Sequence, residues 1–341
     1  MREIFRVQFF RVFAHYVEWL AAAAITSLAA ACSQSPYLAV GNALNNTVTE
    51  YPLTANGNVA PSATLSGSNT GIDLPFGVAS DRVGSLRVGN GIGGLNGLGG
   101  SITSYVTGAT GNSAPIATIS GANSGLTTGV GAVAVDHDGN IYAIQVETTA
   151  VTIYARGATG DQAPIATIAG GNTGLAQPVG IAVDGGGKIY VANFSGIDDI
   201  PSSVTVYTPG STGDVAPIAT ILIPGLPANI AVDAKGTVYV ANFDPPSITI
   251  YSPGANGNAQ PQRSISGSNT GLADLTGIAI DANGNIYVSN KDSYATGTEV
   301  PDKIVVFGPQ ADGNAVPKAI ISGAQTGLDG PWGLTVVQPD P

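Results

Sequence analysis

What this 341-residue chain lacks is informative. It has one cysteine, so it carries neither an internal disulfide framework nor a thiolate zinc cluster. Charged residues make up only 10 %, against roughly 25 % in an ordinary soluble domain. Twelve Lys and Arg face 23 Asp and Glu, leaving a net charge of −11, which excludes nucleic acid as a partner because phosphate binding needs a basic face. There are two histidines, and only His137 lies beyond the first thirty residues. A Ser-His-Asp arrangement or a His-ligated metal is therefore hard to assemble. Beyond position 32 no stretch keeps a 3.6-residue apolar period, so long helices are not expected. What is abundant is glycine, at 47, and proline, at 22, beside a hydrophobic fraction of 43 % that can build a large core.

Residues 1–31 read as an export signal. Arg2, Arg6 and Arg11 precede a 13-residue apolar run from Trp19 to Ala31 that ends in small residues. That run is shorter than the roughly 20 residues a membrane-spanning helix needs. The single cysteine, Cys32, follows directly. Leu28-Ala29-Ala30-Ala31-Cys32 resembles the bacterial lipobox, with the leucine one place further from the cysteine than usual. The resemblance implies lipid attachment at Cys32 and contact with a membrane through that anchor alone. Ordinary cleavage after Ala31 is the alternative. The expected organisation is a signal over 1–31, a short tether over 32–36 and one folded unit over 37–341.

That unit is a repeat. Strand-like segments end in an aromatic at Tyr51, Tyr105, Tyr154, Tyr207, Tyr251 and Phe307, and ten residues after each stands a proline: Pro61, Pro115, Pro164, Pro217, Pro261 and Pro317. A Gly/Asn-rich turn lies between, and a short β-type run such as Pro115-Ile116-Ala117-Thr118-Ile119 follows. Next come a Gly-rich link, shortened in the fourth copy to Pro224-Gly225-Leu226, and a hairpin such as Gly180 to Asn193 around an Asp-x-x-Gly turn. Four short strands per unit, with copies 44 to 56 residues apart, predict β-propeller blades. The chain starts on a second strand (Leu38 to Asn42) and ends on a first strand (Pro331 to Val337). Together they complete one blade. The expected fold is all-β, a closed six-bladed propeller with four antiparallel strands per blade, in place of an open solenoid with capped ends.

The hairpin Gly277 to Asn290 resembles NHL repeats, and Tyr190-Val191-Ala192-Asn193 and Tyr239-Val240-Ala241-Asn242 resemble the YVTN-type propeller repeats of bacterial surface proteins. Asn stands where NHL repeats usually carry Asp after the Tyr-Val-Ala. The resemblance covers residues 37–337 and speaks for fold more than for function.

By analogy with propellers, the face carrying the links and the loops between second and third strands holds the site. Candidate ligand-binding residues there are Asn42, Asn90, Gln145, Asn193, Asn242 and Asn290 at the second-strand ends, with Asp198, Asp199, Asp292 and Glu299 in the longer loops. The amides either bind a polar ligand or cap their own turns. The carboxylates either hold a divalent cation, calcium being the one cofactor left open, or form a solvated acidic rim. His137 sits in an Asp-His-Asp-Gly turn on the opposite face. The starts of first strands, such as Pro75-Phe76-Gly77 and Pro331-Trp332-Gly333, contain no acid or base. The expectation is an exported, monomeric, non-enzymatic protein presenting loops to a protein, peptide or glycan. The competing expectation is a calcium-dependent lactonase or a lyase resembling the gluconolactonase and streptogramin-lyase propellers, for which Glu147 and Glu299 would be the acids at hand.

Overall fold

A computed structural model describes residues 35–91, 99–145, 148–194, 201–291 and 301–338. Twenty-four strands form six four-stranded antiparallel sheets among these residues. Five sheets run in sequence order from an innermost first strand to an outermost fourth strand, and the sixth differs only in its first strand. Blade 1 takes its first strand from the C-terminus, Pro331–Val337, and its others from Tyr37–Asn42, Thr47–Pro52 and Ala63–Leu65. Blades 2 to 6 follow over 75–119, 130–169, 178–222, 226–265 and 275–322. The ring closes as the repeat requires: Leu38 pairs with Val336 and Val40 with Leu334. Closure leaves no first-strand edge open to other chains.

The core is divided between the blades. Six hydrophobic clusters each straddle one junction; Ile144 and Val151 of blade 3, for example, pack against Ile181, Ile189 and Tyr207 of blade 4. Second strands such as Ile189–Asn193 are buried on both faces and read as continuous apolar runs without polar alternation. First strands approach one another near the axis. There a Cβ on Gly333 would meet Phe76 O at 2.5 Å and Val78 N at 2.8 Å, so only hydrogen fits.

The Gly-Asn turns between third and fourth strands are latches. Each turn glycine donates its N–H to the fourth strand of the preceding blade. Gly111 N to Thr64 O is 2.7 Å and, across the closure, Gly57 N to Ile320 O is also 2.7 Å. The next residue clips the neighbouring link: Asn112 Oδ1 accepts from Asn69 N at 2.7 Å, and Asp214 Oδ1 from Asn172 N at 2.7 Å.

One local feature goes beyond the sequence reading. First strands begin at Pro75, Val130, Pro178, Leu226, Leu275 and Pro331. Each contains a β-bulge. The extra residue is Phe76, Gly131, Val179, Ala228, Thr276 or Trp332.

Candidate ligand-binding mouth

The six predicted amides sit together on one face, at the second-strand ends, and all are buried, none more than 4 % exposed. Their hydrogen bonds stay within the blade. The side-chain oxygen accepts an N–H of the link entering the same blade: Asp73 N to Asn90 at 3.0 Å, Thr127 N to Gln145 at 2.9 Å, Ala176 N to Asn193 at 3.0 Å, Ala273 N to Asn290 at 2.8 Å and Asp329 N to Asn42 at 3.3 Å. The amide nitrogen donates onto the third strand, to Thr49, Thr103, Thr205 and Thr249 from Asn42, Asn90, Asn193 and Asn242. This lattice ties link, second strand and third strand together below the surface of the mouth.

Blade 5 departs from the pattern. Its link, 223–225, is three residues long where the others have eight to ten. Asn242 Oδ1 and Tyr251 Oη, both buried, are left without a hydrogen-bond partner. In blades 1 to 4 the corresponding amide oxygen and tyrosine hydroxyl bond the link's main chain.

Above the amides the bulges build a cup. A β-bulge turns a side chain out of the pleat and re-aims it. All six bulge residues line one cavity of about 990 Å³, joined by Phe194 and Lys291 just past second-strand ends and by Phe243 in a further bulge of blade 5. The volume is that of a small-molecule site. Phe76 and Trp332 meet with ring centroids 4.8 Å apart, tilted by 52°. Lys291 Nζ lies 4.9 Å from the Trp332 ring centroid, within cation–π range. Its backbone N–H is held by Asp274 O at 3.1 Å. Lys291 is the one charged side chain among the described lining residues. On the rim, burial raises the Asp73 carboxyl above its usual range. Further down the axis the first strands of all six blades enclose a narrower space of about 190 Å³.

Asp198, Asp199, Asp292, Glu299 and Glu147 lie outside the described residues, as does Cys32. Among the described residues no three His, Cys, Asp or Glu side chains group as a metal site. His137 lies in the turn joining the first and second strands of blade 3, on the face away from the cup, with Nε2 3.0 Å from Arg82 Nη1. Sequence reasoning passed over the cup because it searched first-strand starts for acids and bases. The available signal was variability: Phe, Gly, Val, Ala, Thr and Trp at one position of an otherwise regular repeat.

Fold and mouth together define a six-bladed β-propeller with four antiparallel strands per blade. No protein-family model matches the sequence, and no curated protein matches it. Solved structures do. A protein of unknown function from Bacteroides caccae is similar at 14 % identity and TM-score 0.58, over 89 % of this chain and 99 % of that one. The WD40 β-propeller domain of Doa1 is similar at 14 % identity and TM-score 0.53, over 85 % and 80 %. The WD40 repeats of RRP9 are similar at 11 % and 0.51, over 83 % and 68 %. At such identities the likeness is one of fold.

Proposed function

We propose that this is a non-enzymatic binding protein of the NHL/YVTN-like kind, exported and lipid-anchored through Cys32, that takes its ligand in the bulge-built mouth. One observation carries the reading: six bulges, one per blade, place their extra residues, five with side chains and Gly131, around a single cavity. Beneath them the repeated amides are occupied in holding the blades. The described lining offers aromatic and aliphatic surface and one lysine, without a carboxylate or imidazole to act as acid or base, which favours binding over catalysis. The leader and Cys32 support the export component.

Trp332 serves as the reporter, because the only other tryptophan is Trp19 in the leader. In a Trp19→Phe chain, a bound ligand is expected to shift Trp332 emission saturably, and Phe243→Ala is expected to weaken that response. Emission that stays constant across panels of small apolar acids, peptides and oligosaccharides would overturn the reading. Labelled palmitate should enter the wild type and not Cys32→Ser; equal labelling would remove the anchor.

A further inference from the structure

From the chemistry of the cup we infer that its ligand is a small organic anion, with a flat apolar body lying among the aromatic rings and a carboxylate against Lys291. This rests on the mouth being the binding site and names what it takes. Phe76, Phe194, Phe243 and Trp332 supply ring faces and edges for a flat or ring-bearing body. The cavity of about 990 Å³ admits a molecule of drug size. Polar lining side chains are few: Thr148, Thr149, Gln177 and Thr276. The Thr276 hydroxyl is already engaged with Pro331 O at 2.8 Å and Ser289 Oγ at 3.0 Å. A glycan, whose hydroxyls need several convergent partners, is poorly served by that set.

The charge argues the other half. In a chain of net charge −11, one ammonium stands at an otherwise uncharged described lining, held by its backbone N–H and lying over Trp332. A neutral ligand that displaces water from the cup strips hydration from this ammonium and returns nothing, whereas a carboxylate replaces the lost water with a charge-assisted hydrogen bond. Exclusion of water by the apolar body also strengthens that attraction. The lysine therefore selects for the anion and the rings select for the body.

The test is calorimetric titration of the full-length chain with 2-naphthoate and with its uncharged analogue 2-naphthamide. One naphthoate per chain is expected, and naphthamide is expected to bind about tenfold more weakly, the worth of one charged hydrogen bond. Lys291→Met should abolish the preference while leaving naphthamide unaffected. Phe243→Ala, at a half-exposed position that does not threaten folding, should weaken both ligands. Any contribution from the apolar leader is common to all variants and cancels in the comparison. Equal affinity for acid and amide in the wild type, or a preference that survives Lys291→Met, would overturn the anion assignment and leave the mouth standing. Displacement of naphthoate by uncharged maltohexaose and not by decanoate would overturn it in favour of a glycan. Binding of neither probe, or binding indifferent to Phe243→Ala, would sink both the assignment and the mouth.

Discussion

Two identical conservative substitutions at the same repeat position are expected to have unequal effects. Tyr207 ends the third strand of blade 4 and is fully buried. Its hydroxyl donates to Thr173 O at 2.6 Å and lies 3.1 Å from Thr205 Oγ1, and burial pushes its pKa up to about 12. Tyr251 ends the third strand of blade 5 and is equally buried. The link that would offer it a carbonyl is the short one, and Tyr251 Oη has no partner in normal hydrogen-bond geometry, with the Thr249 hydroxyl as its polar neighbour. Tyr207→Phe breaks a bond and strands a buried carbonyl, at a cost of about 1–3 kcal/mol. Tyr251→Phe removes a donor that pays desolvation without return, so its effect should be nil or stabilising. Blade 6 already carries phenylalanine at this position, Phe307, fully buried. The two variants should therefore differ by about 2 kcal/mol, roughly 3 °C in melting temperature for a chain of this size. Urea unfolding of both variants beside the wild type measures it. Equal losses, or a loss above about 1 kcal/mol in Tyr251→Phe, would refute the claim that the short link orphans this hydroxyl.

Blade 1 makes a pH prediction. Glu50, only 6 % exposed, pairs across from Ala39, where blades 3 to 6 place a tyrosine and blade 2 places Arg87, and burial pushes its carboxyl from 4.5 up to about 7. Since the folded-state pKa exceeds the unfolded one, this group favours the fold fully below about pH 4.5 and the benefit drains away as pH rises through 7, at most about 3 kcal/mol in all. Glu50→Gln should flatten the fall in melting temperature between pH 5 and 8; an unchanged slope would count against it. Gly333→Ala should destabilise by about 1–3 kcal/mol, because its Cβ would run into the Phe76 and Val78 backbone near the axis, and a wild-type melting curve would show that the inner strands are not so closely set.

The blade count and the closure were legible because they are local and periodic. The invariant step of ten residues from aromatic to proline marks six third strands, and complementary termini at Leu38 and Val336 leave one way to finish the ring. The bulges were not legible. Pro75-Phe76-Gly77 and Pro331-Trp332-Gly333 look like ordinary strand starts, and an extra residue shows only when the partner strand is laid beside it, as Pro75 opposite Asn90 and Gly77 opposite Gly89. The role of the Gly-Asn turns was hidden for a related reason. A repeat read along the chain shows what recurs within a unit, while Asn112 and Asp214 act on links that lie about forty residues away. The shortened fourth link could be read directly. Its consequence for Asn242 and Tyr251 could not, since their partners are defined only by the folded blade.

A division of labour follows from where the two kinds of residue sit. The amides bond main chain in the links and the third-strand threonine hydroxyls, and the turn glycines bond main chain of the neighbouring fourth strand, so the scaffold is largely indifferent to which side chains stand on the bulges. A bulge residue leaves the ladder and lines the cavity, although Thr276 also bonds Pro331 O of the neighbouring blade. That position can range from Gly131 to Trp332 while the register on either side holds. In such a ring, what the cup presents changes by substitution at six places that stand outside the ladder register. The large residues are unevenly distributed. Phe76 and Trp332 stand on adjacent blades, with Lys291 beside Trp332, while Gly131, Val179 and Ala228 leave the remaining bulges small. A mouth built for sixfold-symmetric packing would repeat one side chain; this one sets an aromatic pair and the lysine on blades 1, 2 and 6 and single phenylalanines, Phe194 and Phe243, on blades 4 and 5, an asymmetry that gives the cup two unlike sides.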